Sequence, residues 1–186
     1  NEIGEPGLRF KSEYKRIYPQ ESLGVHLIGV TDTETEGLSG LELSFNDYLK
    51  TNRQALELTL DVRLQHILKR EINKTIQLHK AKGGVGIIMD VNNGEILAAV
   101  SLPDYTPSEY GSVSKNSIFN RISLGVYELG STFKIFSTAA LIEKNKTKFS
   151  ETFDVREPIK VGRFTIRDFH PEKRVLTLPE VFIHSS

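Results

Sequence analysis

Apolar residues recur at helical spacing in the stretch after Asp61. These positions lie three or four residues apart, and they are Leu64, Ile67, Leu68, Ile72 and Ile76. The period predicts an amphipathic helix that begins at Asp61, a preferred N-cap residue, and runs to about Lys80. Lys82-Gly83-Gly84 is predicted to end it. Such a stripe is typical of packing against a sheet, so we interpret it as core and not as a binding surface.

Two nearly continuous apolar runs follow, at residues 85–91 and 95–100, and Asn92-Asn93-Gly94 separates them. Asn-Gly supplies the positive φ angles of a tight turn, which predicts a β-hairpin. Because both runs are apolar throughout, we expect both faces of the sheet to be covered. Helices at residues 61–80 and 131–144 are the expected covers, which gives an α+β fold with helices packed on an antiparallel sheet.

The second of these helices opens on Gly130-Ser131-Thr132-Phe133-Lys134. Ser131 and Lys134 are three residues apart and share one helical face. A serine hydroxyl needs a nearby base to act as a nucleophile, and burial can turn lysine into that base. We expect Phe133 and its apolar neighbours Ile135 and Phe136 to provide the dry surroundings. The backbone N–H of Ser131, at the helix start, is predicted to face a developing oxyanion.

The Ser-x-x-Lys spacing is weak evidence by itself, because it occurs three times, at residues 12–15, 112–115 and 131–134. Only the third copy opens an apolar helix. An alternative role for Ser131 is that of an ordinary helix N-cap, for which serine is a preferred residue.

The remaining stretches give weaker signals. Residues 1–30 predict short strands and turns, and residues 101–120 predict a loop that either lines a substrate cleft or is a solvated connector. Beyond the serine helix, strand-like runs occur at Ile159–Val161 and Phe164–Ile166.

Composition narrows the classes of function. The 186 residues carry 24 basic and 24 acidic side chains, and this neutral balance gives no electrostatic attraction to nucleic acid. Cysteine is absent, and no two of the five histidines stand at a metal-ligand spacing such as i, i+4. No run approaches the ~20 apolar residues of a membrane span, and no signal peptide is recognisable.

Asn120-Arg121 and the octapeptide Tyr127-Glu128-Leu129-Gly130-Ser131-Thr132-Phe133-Lys134 resemble the active-serine segment of class B penicillin-binding proteins. These proteins are D,D-transpeptidases that cross-link peptidoglycan. The family usually has proline where this chain has Leu129, in the turn before the nucleophile.

Further blocks resemble the same family in the same order. They are Arg16-Ile17-Tyr18-Pro19 with His26-Leu27-Ile28-Gly29, residues 37–42 and 45–49, residues 90–98 and 103–107, and residues 176–186. In the last block, Ser185 matches the serine of a Ser-x-Asn motif. The resemblance implies part of a non-catalytic pedestal module at residues 1–56 and part of the transpeptidase domain at residues 57–186. It also implies a missing segment between Lys50 and Thr51.

The family implies a reaction and a setting. Ser131 would be the nucleophile, Lys134 its general base, Ser185 a proton relay, and the Ser131 N–H half of an oxyanion hole, without metal or organic cofactor. The substrate would be a stem peptide ending in D-Ala-D-Ala, and β-lactams would acylate the same serine. The setting would be septal cell-wall synthesis by a periplasmic domain with a single N-terminal anchor in the bacterial inner membrane. The partners would be membrane proteins of the division machinery, including a glycosyltransferase.

Asp168-Phe169-His170 suggests a Ser/His/Asp triad, but the resemblance favours lysine as the base. Two other functions stay open. A serine β-lactamase or β-lactam sensor shares Ser-x-x-Lys, and a division scaffold would keep the fold without turnover.

Overall fold

The computed structural model describes residues 12–52, 54–144 and 146–186, which fall into two units, Asn1–Val126 and Tyr127–Ser186. The sequence-based expectation for residues 1–11 lies outside the described residues. The division between units concerns compactness, whereas the boundary at 56/57 concerns family modules, so that boundary stays a prediction. Among the described residues, no helix combines the length and apolarity that crossing a membrane requires.

The N-terminal unit begins with short helices. They are α1 at Val25–Ile28, α2 at Gly40–Ser44 and α3 at Asn46–Thr51. The expectation of short strands before residue 30 is therefore wrong. Gly24 and Gly29 both take positive φ, at 72° and 84°, and enclose a single helical turn that is too short to show a period in the sequence.

The residues that resemble family motifs in this region pack and hydrogen-bond. A Cβ on Gly29 would lie 1.8 Å from the carbonyl oxygen of Ser39, so only glycine fits this crossing. The Arg16 guanidinium donates to the Glu42 carboxylate at 2.6 Å, and Glu42 is only 4% exposed. This bond neutralises a charge that would otherwise be buried without a partner. These contacts indicate a structural role.

The amphipathic stretch forms helix α4, Val62–His79, as predicted. Its N-cap is Asp61, whose carboxylate accepts from the backbone N–H groups of Arg63 and Leu64. Hydrogen bonding from the Arg63 side chain is the main cause that lowers the pKa of Asp61 to about 2. The helix ends at Lys80, which takes a left-handed φ of 50°, and not at the glycines predicted to end it.

The predicted hairpin is also present. Strands β1, Gly84–Met89, and β2, Ile96–Leu102, pair antiparallel. Gly94 takes the positive φ expected of it, 80°, but the loop is wider than a two-residue turn. Asp90 closes it by accepting the N–H of Asn92 on its side chain and the N–H of Gly94 on its carbonyl.

Helix α4 covers one face of this hairpin. A Cβ on Gly86 would lie 2.7 Å from the side chain of Ile72, so the missing side chain permits close helix–sheet packing. The alternate residues Val85, Ile87 and Met89 are 39%, 52% and 52% exposed. The expectation that both faces are covered is therefore wrong for β1. Residues 98–102 of β2 are buried.

Gln65 joins the helix to the sheet through its amide, although it lies on the core side of α4. Its Nε2 donates to the carbonyl of Ala99 at 2.6 Å, and its Oε1 accepts the N–H of Ala99 at 2.8 Å. The side chain is only 3% exposed, and it satisfies the backbone of β2 as a neighbouring strand would.

The stretch predicted as a loop is more ordered than expected. It contains a 3₁₀ turn at Pro107–Glu109 and helix α5 at Lys115–Ile118. Tyr105 is 5% exposed and packs with Val25 and Val30, so the stretch is not a solvated connector. Whether it also lines a substrate cleft stays a prediction.

The C-terminal unit carries one helix after the serine segment and two small sheets. Its elements are a 3₁₀ turn at Gly130–Phe133, helix α6 at Lys134–Glu143, strands β3 at Thr152–Asp154, β4 at Ile159–Val161, β5 at Phe164–Ile166 and β6 at Val175–Thr177, and helix α7 at Leu178–Ile183. The β4–β5 hairpin has the two predicted strand runs. The long-range β3–β6 pair was not predicted from the sequence. Leu176 and Leu178, at 0% and 5% exposure, form the core of this unit.

Replacing Gln65 by Leu tests the helix-to-sheet amide. The variant keeps the apolar packing but leaves a buried N–H and a buried C=O of Ala99 without this partner, so we expect a loss of about 2 to 4 kcal/mol in unfolding free energy. Urea unfolding of the intact protein measures it. Gln77→Leu, an exposed position on the same helix, is the control. Equal stability of the two variants would contradict the role given to Gln65.

Candidate active site

Ser131 lies in the 3₁₀ turn at Gly130–Phe133, directly before α6. Gly130 takes a φ of 56°, the left-handed conformation expected of it. The first backbone hydrogen bond here runs from Thr132 N to Leu129 O, so the Ser131 N–H precedes it. This is compatible with an amide available to an oxyanion, which stays a prediction.

The Ser131 hydroxyl contacts another side chain and is not an N-cap. Its Oγ accepts a hydrogen bond from the Oγ of Ser185 at 2.7 Å, although the two residues are 54 positions apart. The Lys134 ammonium donates to the Oγ of Ser185 at 3.1 Å and to the Ser185 carbonyl. The structure thus brings together the three side chains predicted from the sequence, with Ser185 between the other two.

The order of contacts differs from the direct Ser131–Lys134 transfer expected from their spacing. The hydrogen bonds described here run from Lys134 to Ser185 and from Ser185 to Ser131. A serine hydroxyl both donates and accepts, so Ser185 can pass a proton in either direction. The arrangement is suited to moving a proton from the Ser131 hydroxyl through Ser185 to a neutral Lys134.

The expected dry setting is not supplied by the neighbours proposed for it. Phe133, Ile135 and Phe136 are 57%, 52% and 61% exposed. None of residues 134–143, all of which the structure describes, is buried, so the expectation of a buried serine helix is wrong. Lys134 itself is half-buried, and its contacts with Ser185 are polar. Apolar sequence neighbours therefore do not define the environment of the lysine.

Ser185 is placed by helix α7 and by an unusual backbone angle. It follows the helix with a φ of 56°, in the left-handed region that residues with a Cβ seldom adopt. Its N–H donates to the carbonyl of Phe182 at 3.2 Å, and the N–H of Ser186 donates to the carbonyl of Val181 at 3.0 Å. These bonds turn the chain so that the Ser185 side chain reaches Ser131.

The start of α7 is fixed by a carboxylate. Glu180 accepts from the N–H and the hydroxyl of Thr177 at 2.8 and 2.9 Å, and from Arg174 at 2.8 Å. The hydrogen bond from the Thr177 backbone, followed by the one from Arg174, lowers the pKa of Glu180 to about 2. Because Thr177 also ends β6, the carboxylate couples the sheet of this unit to the helix that carries Ser185.

The other two Ser-x-x-Lys copies lack such a partner set. The Ser112 hydroxyl donates to the backbone carbonyl of Glu109 at 2.9 Å and so closes a loop. Ser12 is exposed. Of the three copies, the one at residues 131–134 is the one in which both side chains contact a third functional group.

One feature of the site was missed from the sequence. The Asp168 carboxylate accepts from the hydroxyl of Ser186 at 2.5 Å, and the His170 ring packs edge-on against Phe169. A triad interpretation would have paired Asp168 with His170. The only available signal, an acidic residue 18 positions before a serine, is too common to be recognised.

Glu180→Gln tests the carboxylate at the start of α7. The folded-state pKa of about 2 lies below the ordinary 4.5, so the charged group stabilises the fold above about pH 4.5, and this contribution is lost as pH falls toward 2. Thermal melting of the intact protein should therefore show the variant below wild type near neutral pH, with a gap that narrows below about pH 4.5. Glu157→Gln, an exposed position in the same unit, is the control. A gap that stays constant with pH would contradict this assignment.

Comparisons with known proteins agree with this site. Residues 84–186 match the family described as the penicillin binding protein transpeptidase domain. The chain is 39% identical over 188 residues to the probable peptidoglycan D,D-transpeptidase FtsI of Caulobacter vibrioides, covering 99% of this chain and 32% of that protein. It is 29% identical over 188 residues to the peptidoglycan D,D-transpeptidase FtsI of Escherichia coli K12, covering 88% of this chain and 32% of that one.

A solved structure is similar as well. The D,D-transpeptidase domain of a peptidoglycan glycosyltransferase from Eggerthella lenta superposes with a TM-score of 0.77 at 27% identity, covering 90% of this chain and 41% of that one. The chain spans about a third of the length of the curated relatives. The family match extends over more than half of the chain and includes Ser131, Lys134 and Ser185, and the chain therefore belongs to the penicillin-binding protein transpeptidase family.

Proposed function

We propose that this chain contributes the nucleophile of a peptidoglycan D,D-transpeptidase that cross-links stem peptides during septal cell-wall synthesis. The observation that carries the proposal is the hydrogen-bonded series Lys134–Ser185–Ser131. A hydroxyl linked through a second hydroxyl to an amine is the arrangement that serine acyl transfer requires. The relatives named D,D-transpeptidases support the choice of reaction.

In the first half-reaction, the Ser131 Oγ attacks the carbonyl carbon between the two terminal D-alanines of a stem peptide. Its proton passes to Ser185, which gives its own proton to neutral Lys134. The carbonyl oxygen becomes an oxyanion, toward which the Ser131 N–H is available. When the peptide bond breaks, the proton returns through Ser185 to the departing D-alanine amine, and the acyl group stays on Ser131.

In the second half-reaction, an amine of a neighbouring strand attacks the acyl-enzyme. Lys134, neutral again after the first step, receives the proton of this amine and returns it to Ser131 as the ester bond breaks. The products are a new peptide bond and a free serine, so no metal or organic cofactor takes part. A β-lactam would acylate Ser131 by the same attack, with its ring amide in the place of the scissile bond.

The setting follows the family. We propose that the catalytic domain is periplasmic, on a protein with a single N-terminal anchor in the bacterial inner membrane. Its partners are proposed to be membrane proteins of the division machinery, including a glycosyltransferase. The balance of 24 basic and 24 acidic side chains gives no reason to include nucleic acid among them.

Two alternatives make different predictions. A β-lactamase would share the acylation step but release the acyl group quickly, so a long-lived covalent adduct with penicillin speaks against it. A non-catalytic scaffold would keep its role when Ser131 is changed to Ala. The hydrogen bond that Ser131 accepts from Ser185 favours an enzyme, because a scaffold has no need of it.

Ser131→Ala should abolish covalent labelling of the intact protein by a fluorescent penicillin. The reason is the loss of the attacking oxygen, and the readout is gel fluorescence combined with mass spectrometry of the labelled peptide. Ser112→Ala, in another Ser-x-x-Lys copy, is the matched control and should label normally. Label on a residue other than Ser131 in the wild-type protein would overturn the proposal.

Ser185→Ala should slow penicillin acylation while leaving Ser131 the labelled residue. Loss of a proton-transferring group costs on the order of 10²-fold to 10⁴-fold in rate. Stopped labelling at increasing times gives the rate constant. Ser137→Ala is the control, because Ser137 is exposed on α6 and donates only a long hydrogen bond, 3.4 Å, to the backbone. An unchanged rate in Ser185→Ala would show that the proton takes a path that bypasses Ser185.

A further inference from the structure

We propose that Asp168 is a positioning residue of this site, and this inference rests on the proposed function. Its carboxylate holds Ser186 and thereby fixes the backbone conformation that aims the Ser185 hydroxyl between Lys134 and Ser131. Asp168 touches neither the substrate position nor the reacting oxygen.

The first observation is the contact itself. Asp168 Oδ2 accepts a hydrogen bond from the Ser186 hydroxyl at 2.5 Å. Asp168 is half-buried and lies in the connection between β5 and β6, whereas Ser186 directly follows the proposed relay. A hydrogen bond to a carboxylate is stronger than one between neutral groups, so this bond is suited to fixing a chain segment.

The second observation is the conformation that the bond secures. Ser185 has a φ of 56°, and a residue with a Cβ keeps such an angle only where its surroundings impose it. Two backbone bonds of the last turn of α7 act on this segment, from Ser185 N to Phe182 O and from Ser186 N to Val181 O. Both lie within the helix end. The Asp168 bond reaches the segment from a separate part of the unit and fixes the side of Ser186 that faces away from Ser131.

The third observation concerns the consequence of a loss. Lys134 contacts both the carbonyl and the hydroxyl of Ser185, so a rotation of the Ser185 backbone moves the two contacts together. A shift of about 1 Å in a catalytic group is enough to cost up to 10²-fold in rate. The rate of acylation is therefore sensitive to whatever holds Ser186.

The test compares acylation of the intact protein by a fluorescent penicillin in four variants. They are Asp168→Ala, Asp168→Asn, Ser186→Ala and the double variant Asp168→Ala/Ser186→Ala. We expect Asp168→Ala to lower the acylation step on the order of 10-fold, with penicillin binding nearly unchanged when rate is measured against concentration. Asp168→Asn keeps an acceptor oxygen and should restore most of the rate.

The double variant separates a shared bond from two unrelated effects. If both residues act through one hydrogen bond, the double variant is no slower than the slower single variant. Asp154→Ala is the matched control, because Asp154 is an exposed carboxylate of the same unit that pairs with Arg156. Its acylation rate should equal that of wild type. Thermal melting checks each variant for folding, and Ser186→Ala carries the test if Asp168→Ala does not fold.

The proposal is overturned if Asp168→Ala, or Ser186→Ala in its place, acylates at the wild-type rate, or if the two single losses multiply in the double variant. It is also overturned if Asp168→Asn is as slow as Asp168→Ala. Failure of the proposed function is a separate outcome, since labelling would then persist in Ser131→Ala whatever the Asp168 variants do.

Discussion

The candidate site depends on one contact between distant parts of the chain, the hydrogen bonds that Ser185 makes with Lys134 and Ser131. The two partners lie 51 and 54 residues before Ser185. Lys134 is placed locally, because it follows Ser131 by three residues where a 3₁₀ turn passes into α6. Ser185 is not, and its position is set by the β3–β6 pair and by α7. The small sheet of the C-terminal unit is therefore a requirement of the chemistry.

The electrostatics of this unit favour the same arrangement. Glu180 stands in the first turn of α7, where a carboxylate interacts well with the free backbone N–H groups, and the pKa of about 2 reflects that hydrogen bonding. At the other end of α7, His184 Nδ1 lies 3.1 Å from Glu172, whose carboxylate is 3.5 Å from Arg174. Both ends of a helix of only six residues are thus tied to the segment before β6. A helix this short depends on such contacts, because its own backbone bonds are few.

Some of these features were predictable from the sequence, and the reasons differ from element to element. Helix α4 was predictable because its period extends over five turns and its N-cap is a strong local signal. The β1–β2 hairpin was predictable from Gly94 and the two apolar runs. Coverage of both sheet faces was not, since an apolar residue such as Ile87 fits a strand whether or not a neighbour covers it.

Within the site, Ser131 and Lys134 could be found from their spacing and from a family resemblance, and Ser185 from resemblance alone. The role of the intermediate hydroxyl could not, because three residues at fixed positions permit several hydrogen-bonding orders and only coordinates select one. The contact between Asp168 and Ser186 depends on a bend after β5 that has no local signature. The exposure of Phe136 was mispredicted for a related reason, since hydrophobicity indicates a tendency to be buried and not the presence of a partner.

The departure at Leu129 from the usual proline can now be judged on geometry. Leu129 has φ −69° and ψ −21°, and proline fixes φ near −65°, so leucine adopts the backbone that proline would impose. Its carbonyl accepts from Thr132 N as the turn requires, a bond that does not involve the residue's own N–H. What leucine lacks is the restriction of the unfolded chain, which at a compatible position amounts to about 0.4 to 1 kcal/mol. The substitution therefore affects stability slightly and leaves the placement of Ser131 intact, since the left-handed conformation that directs the serine belongs to Gly130.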